Sequence, residues 1–279
     1  MKRRIILGCL LVVGCVVAII GVMHGKMKKT YASAENFDSS INMQFSLESI
    51  QYYLKSEYSS SKSSKYVGNA TVKKTYDSFG VIGENMNQTL LNNEWNRVNK
   101  DKTVGGTCGV VASTMLIRKY ISQNKLPMGQ TNQQIFNSLV EYAWKSKIYT
   151  STNNGSTTPL EQKKILNKYL DDKGSKYTAN ADVMNLWSTS KNYLDDKIEP
   201  IVVGLNGYSG GHAVLATDAY ILNVKYKTKL VSGIYINHSK NYKVLRICNG
   251  WEDTNLKNFN DSTYRYIYFD CVDDLVKLK

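Results

Sequence analysis

The chain has 279 residues, 42% hydrophobic, with a formal net charge of +13, which is ample for a packed core in one domain of roughly 200 residues plus an extension. Lys2, Arg3, Arg4, Lys26, Lys28 and Lys29 account for six of those charges, leaving +7 (30 basic, 23 acidic) spread over the rest without a dense basic stripe. Such a surface suits an anionic cell wall or membrane but is no nucleic-acid footprint. The twenty tyrosines are dispersed, so they suggest strands and partly exposed packing, not a stacking platform. The Asn-, Lys- and Tyr-rich, Pro-poor composition resembles that of a low-GC Gram-positive bacterium.

Met1-Lys2-Arg3-Arg4 precedes an apolar run from Ile5 to Met23 that carries no charge. A basic start before such a run reads as an export signal, and the run is also long enough for one membrane-spanning helix. Ala32-Ser33-Ala34 fits a small-residue cleavage pattern, and an uncleaved anchor is the alternative. Val12-Val13-Gly14-Cys15 resembles a lipoprotein-processing site, although apolar residues continue past Cys15. Each outcome puts the rest of the chain outside the cytoplasm, secreted or held at the outer face of the membrane. Residues 1–34 are thus taken as signal peptide or anchor, 35–89 as a polar extension (spacer or pro-segment), and 90–279 as the domain proper.

In the extension, Leu47, Ile50, Tyr53, Leu54 and Tyr58 form a short helical stripe, and Ser59 to Lys65 reads as a low-complexity linker. The domain then reads as helices first and strands second. A helix is expected from a Thr107 cap to about Ile121. A second starts at Thr131 with Ile135, Leu139, Tyr142 and Ala143 on one face. Thr158-Pro159-Leu160-Glu161 is a capping box with proline at the first helical position, and Gly174 ends that helix. A fourth helix is expected over 182–194. Strands are expected at 201–205, 212–222, 230–236, 242–248 and 264–269. The fold class is α+β, with an active cleft between a helical half and a sheet half.

Three short stretches carry chemistry. Gly105-Gly106-Thr107-Cys108-Gly109 runs directly into the apolar segment Val110–Ile117. A thiol at a helix N-terminus faces unpaired backbone N–H groups and the positive dipole end, which favour thiolate. Glycine on each side lets backbone or substrate approach the sulfur closely. Gly210-Gly211-His212-Ala213-Val214-Leu215 places a histidine at the start of an apolar strand. Of the other two histidines, His24 lies in the N-terminal segment and His238 in a polar Asn237-His238-Ser239-Lys240 turn, so His212 is the favoured imidazole base. Cys248-Asn249-Gly250-Trp251 adds an asparagine followed by a tryptophan. A nucleophile, a base and an orienter of the base are what thiol-based acyl transfer requires.

These motifs resemble those of papain-like cysteine peptidases, the nearest likeness being to bacterial secreted or surface members related to double-glycine leader peptidases and, more distantly, to streptopain. The likeness rests on Gly-Thr-Cys-Gly at 106–109, Gly-Gly-His-Ala-Val at 210–214 and Asn-Gly-Trp at 249–251, and covers roughly residues 90–279. It implies a papain-like fold, the helical half carrying the cysteine and an antiparallel sheet half carrying His and Asn. It further implies Cys108 as nucleophile, His212 as general acid/base, Asn249 as orienter of the imidazole and Trp251 as shield of the His–Asn hydrogen bond. The family places a glutamine about six residues before the nucleophile to build the oxyanion hole, where this chain has Lys102. Asn96 and Asn99 are the nearest upstream amides. Asn99 is the candidate second donor beside the Cys108 backbone N–H.

The implied function is an exported thiol-dependent peptidase acting through an acyl-enzyme, monomeric, on peptide or protein substrates and without cofactor or metal. No C-x-x-C occurs and no second histidine stands at ligand spacing, which argues against zinc. Val104-Gly105-Gly106 lacks the Lys-Ser/Thr of a phosphate loop. Cys248 and Cys271 either pair in an oxidising exterior or pack reduced in the core. Asp218 reads as a strand-end polar group, and the pairs Asp171-Asp172, Asp195-Asp196 and Asp273-Asp274 as helix-end or surface charges. The alternatives are a cell-wall amidase or transglutaminase-like acyl transferase on the same triad, or a surface binding module on a degenerate peptidase fold.

Overall fold

A computed structural model of the chain describes residues 64–66, 71–72, 86–127, 129–197, 199–205, 212–229, 234–248, 250, 265–269 and 272–279. All fall within one compact unit, Gln44–Lys279. The N-terminal segment 1–34, the stripe at 47–58, Asn249, Trp251 and Cys271 lie outside the described residues.

Among the described residues, two short strands, β1 (Ser64–Tyr66) and β2 (Thr71–Val72), come first. Four helices follow: α1 (Gln88–Val98), α2 (Cys108–Ser122), α3 (Asn132–Lys145) and α4 (Pro159–Asp172). After β3 (Ala179–Asp182), a short helix α5 (Leu186–Lys191) runs into a wider turn over Asn192–Asp196. The chain ends in β4 (Ile201–Leu205), β5 (His212–Lys229), β6 (Tyr235–Cys248), β7 (Arg265–Tyr268) and β8 (Val272–Leu278). The fold class is α+β.

Every strand pair is antiparallel, in the order β3-β8-β4-β5-β6-β7, with β1 and β2 added along β5. Ser64 and Lys65, expected in a linker, therefore stand in register with Thr228 and Lys227. Helix α2 has apolar or small residues on every side and is buried from Gly109 through Ile117, the pattern of a helix packed all round. One sheet face meets it. Val202 of β4, Ala213 and Leu215 of β5, and Val276 and Leu278 of β8 join the same core as Val110, Val111, Met115 and Ile135.

Both expected capping boxes form. The Thr131 side chain accepts from Gln134 N and the Thr158 side chain from Glu161 N, and the Gln134 and Glu161 side chains each accept in turn from the cap N–H. Gly174 follows the α4 C-cap at φ +60, as its place after the helix demands. The expected helix over 182–194 is displaced: Ala179–Asp182 pairs with β8 and the helix starts only at Leu186. The expected turn at 237–240 is continuous strand, with His238 opposite Tyr226. Of the expected strands 230–236 and 242–248, residues 235–248 form the single β6 and 230–233 lie outside the described residues. This ribbon escapes sequence reading because Asn237, His238, Ser239, Lys240 and Asn241 are polar at consecutive positions; a strand polar on both faces shows no period-2 pattern. Asp218 lies inside β5 and not at its end. Its carboxylate is 3.1 Å from Arg246 Nε on β6 and accepts from Thr217 Oγ1 at 3.0 Å, all three residues buried.

Candidate active site

Cys108 is the first residue of α2 and His212 the first residue of β5, and both line one cavity of about 190 Å³. The β4 and β8 side of that cavity is Gly204, Leu205, Asp273 and Asp274, with Ala213 beside His212. The helical side is Ser156, Thr157, Pro159 and Gln162, from the start of α4 and the loop before it.

The loop that delivers Cys108 is held by α1. Asn92 Nδ2 donates to Gly105 O at 2.5 Å, and Asn96 both donates to Val104 O at 2.9 Å and accepts from Val104 N at 2.7 Å. Trp95 Nε1 donates to Lys102 O at 2.6 Å. Thr107 does not cap α2 through its side chain; its buried hydroxyl donates to Asn92 Oδ1 at 2.6 Å. A neutral acceptor was already waiting on α1, and the competing bond wins. Gly155 is bare because the backbone of Gly106 packs on it: a Cβ at Gly155 would stand 2.9 Å from Gly106 Cα, whereas a Cβ at Gly106 would meet nothing within 4 Å. Gly109 is bare for a different neighbour. A Cβ there would stand 2.6 Å from Gln162 Nε2 and 3.1 Å from Gln162 Cδ.

The electrostatics differ from the sequence expectation of an acidic thiol. Burial pushes the Cys108 thiol above its ordinary range, and the backbone N–H groups of Ala213, Gly109 and Cys108 itself only partly offset this. Burial also lowers the His212 imidazole to about 4. Desolvation outweighs the helix N-terminus here. At neutral pH the resting site therefore holds a neutral thiol beside a neutral imidazole that can accept a proton.

Asp274 is pushed up to about 6 by burial and by the neighbouring Asp273, while the Gly204 N–H pulls it down. Its carboxylate lies over Gly204, where a side chain would collide: a Cβ would stand 2.7 Å from Asp274 Cγ. The register slips between Gly204 and Leu205, which pair with Asp274 and Val272. Asp273 is the extra residue of this bulge. Successive strand residues normally face opposite ways, and the bulge is what lets both carboxylates line one cavity.

Asn99 stands elsewhere. It is the C-cap of α1, its Nδ2 donates to Trp95 O at 3.1 Å, and it is not among the residues that line the cavity. Lys102 pairs with Glu141 on α3 at 3.6 Å. Gly250, next to Asn249 in sequence, is buried at φ +72; its carbonyl accepts from Gln88 N at 2.7 Å and a Cβ there would meet Val111 Cγ1 at 2.7 Å. Gln162 was overlooked in the sequence, and Asp274, read there as a helix-end or surface charge, instead lines the cavity; each leaves a signal. Gln162 stands in register with Ile165, Leu166, Tyr169 and Leu170 on the buried stripe of α4. Asp274 alternates with Val272, Val276 and Leu278. A polar residue on an apolar face is the mark in both.

No protein-family model, no curated protein and no solved structure matches the chain.

Proposed function

We propose that the protein is an exported thiol-dependent hydrolase of peptide or amide bonds with a papain-like arrangement of helices and sheet. The observation that carries this is that Cys108 and His212, far apart in sequence, open a buried helix and a neighbouring strand at the same cavity. The basic start and apolar run at 1–23 support export.

In this reading, His212 takes the Cys108 proton as the sulfur attacks the substrate carbonyl, and the tetrahedral oxyanion forms. The Cys108 backbone N–H is one donor to that oxygen. The amide of Gln162, packed against Gly109, replaces Asn99 as the candidate for the second. Collapse expels the amine, which receives the proton from His212 and leaves a thioester on Cys108. Water, giving its proton to His212, attacks the thioester and releases the acid and the thiol. Asn249 orients the imidazole and Trp251 shields it, both by resemblance alone.

A binding module on a degenerate fold is the competing reading, because Lys102, where the family has its glutamine, and Asn99 both engage other partners. Hydrolysis of a mixed peptide library by the parent protein, followed by mass spectrometry, separates the two. Cleavage that disappears in Cys108→Ala supports the hydrolase. Equal cleavage in Cys108→Ala, or none in the parent, overturns it.

A further inference from the structure

We propose that the cavity beside Cys108 takes a substrate group carrying a positive charge, the ammonium or guanidinium of a Lys- or Arg-like side chain adjoining the scissile carbonyl, and that Asp274 binds it. This names the substrate class of the same site and rests on the thiol-hydrolase reading.

Three observations converge. First, Asp274, Gly204 and Ala213 form one cross-strand row over β8, β4 and β5, and the Ala213 N–H at its end points to the Cys108 sulfur. Strands lie about 4.8 Å apart, so the carboxylate sits roughly 5 to 10 Å from the thiol end of the row. A lysine or arginine side chain spans that distance from a carbonyl held at the sulfur. Second, Gly204 is the gap in the row. With no side chain of its own, it leaves room for the Asp274 carboxylate, which reaches back over it toward the thiol end of the row. Third, Gln162 on the opposite wall is only 4% exposed, and its Oε1 has no hydrogen-bond partner among the described residues. A buried acceptor without a donor is costly unless a ligand supplies one.

The charge is also local. No cation among the described residues pairs with Asp274, in a chain whose overall charge is +13. Ammonium and guanidinium groups are donors only, and here the acidic wall and the Gln162 carbonyl offer acceptors.

The test uses charged thiol reagents on the full-length chain at 0.15 M salt, with modification of Cys108 followed by peptide mapping. A trimethylammonium-ethyl and a sulfonato-ethyl methanethiosulfonate each form a mixed disulfide with the Cys108 sulfur and release methanesulfinate. In bulk water a unit charge about 7 Å away favours the cation over the anion roughly sevenfold without salt and about twofold at 0.15 M, and the lower dielectric of a half-buried cavity raises this again. Normalised to the ratio that the two reagents show with a small free thiol, a parent ratio of at least about twofold is expected, falling at least about twofold in Asp274→Asn and retained in Asp274→Glu. The overall positive charge works against this result, so it cannot come from the general field.

A parent ratio of one or below overturns the proposal whether or not Asp274→Asn folds, and so does a ratio that Asp274→Asn leaves unchanged. Peptides with Lys, norleucine or Glu at the residue supplying the scissile carbonyl then separate the two layers. A charge ratio with no turnover on any peptide leaves the cation pocket standing and removes the hydrolase. Equal kcat/KM on Lys and norleucine peptides leaves the hydrolase standing and removes the pocket.

Discussion

Gly109→Ala should harm turnover far more than stability. The added Cβ would stand 2.6 Å from Gln162 Nε2 and 3.1 Å from Gln162 Cδ, whereas ordinary carbon contacts begin near 3.5 Å. Something must therefore shift by close to 1 Å. Thr157, also in the way, is half-buried on a loop and can rotate. Gln162 cannot, because it is enclosed on the core face of α4. Overpacking of this kind costs about 1–3 kcal/mol, and replacing glycine in a helix returns up to about 1 kcal/mol. The net loss expected in urea unfolding is about 1–2 kcal/mol. The same displacement sits one residue from the proposed nucleophile, where a 1 Å misplacement costs about a hundredfold in rate. Truncating the obstacle should restore the balance, so Gly109→Ala/Gln162→Ala should be at least about 1 kcal/mol more stable than the sum of the single changes requires. Gly109→Ala with the parent's stability, or strictly additive single and double variants, would refute the contact between Gly109 and Gln162.

Acid should destabilise the protein through His212 and stabilise it through Asp274. The His212 imidazole, lowered to about 4, binds its proton less readily folded than unfolded, so stability is full above about pH 6.5 and is lost as pH falls toward 4, by about 3 kcal/mol. His212→Gln should flatten that slope in urea unfolding between pH 4 and 7. Asp274, raised to about 6, has the opposite sign, with stability falling as pH rises from about 4 to 6, and Asp274→Asn should remove this contribution. The buried Asp218–Arg246 pair predicts a loss of about 3–5 kcal/mol for Asp218→Ala, which leaves the guanidinium without its counter-charge; an effect below 1 kcal/mol by thermal unfolding would contradict it. Thr158→Ala should cost about 1 kcal/mol through loss of the cap on Glu161 N, read as a lower urea midpoint with an unchanged slope.

The features legible in the sequence were those with a local cause. Capping boxes at Thr131 and Thr158 and the glycine stop at 174 depend on neighbours three residues away, and they stand where the pattern put them. Cys108 at the start of its helix and His212 at the start of its strand were legible for the same reason. What escaped depends on contacts between distant segments. The Thr107 hydroxyl chose Asn92 over the helix it precedes. The thiol lost its expected acidity to burial by the surrounding fold. Asp274 entered the cavity through a register slip between β4 and β8 that a single strand cannot announce. The papain-like likeness itself reaches only as far as α+β in the observed fold.

The central claim, that Cys108 is a nucleophile served by His212, is tested most directly by a peptidyl fluoromethyl ketone. Intact mass and peptide mapping should show one adduct per chain, located on Cys108, with labelling slowed at least about a hundredfold in His212→Ala. Labelling that falls on Cys248, or that proceeds on Cys108 equally fast in His212→Ala, would contradict it.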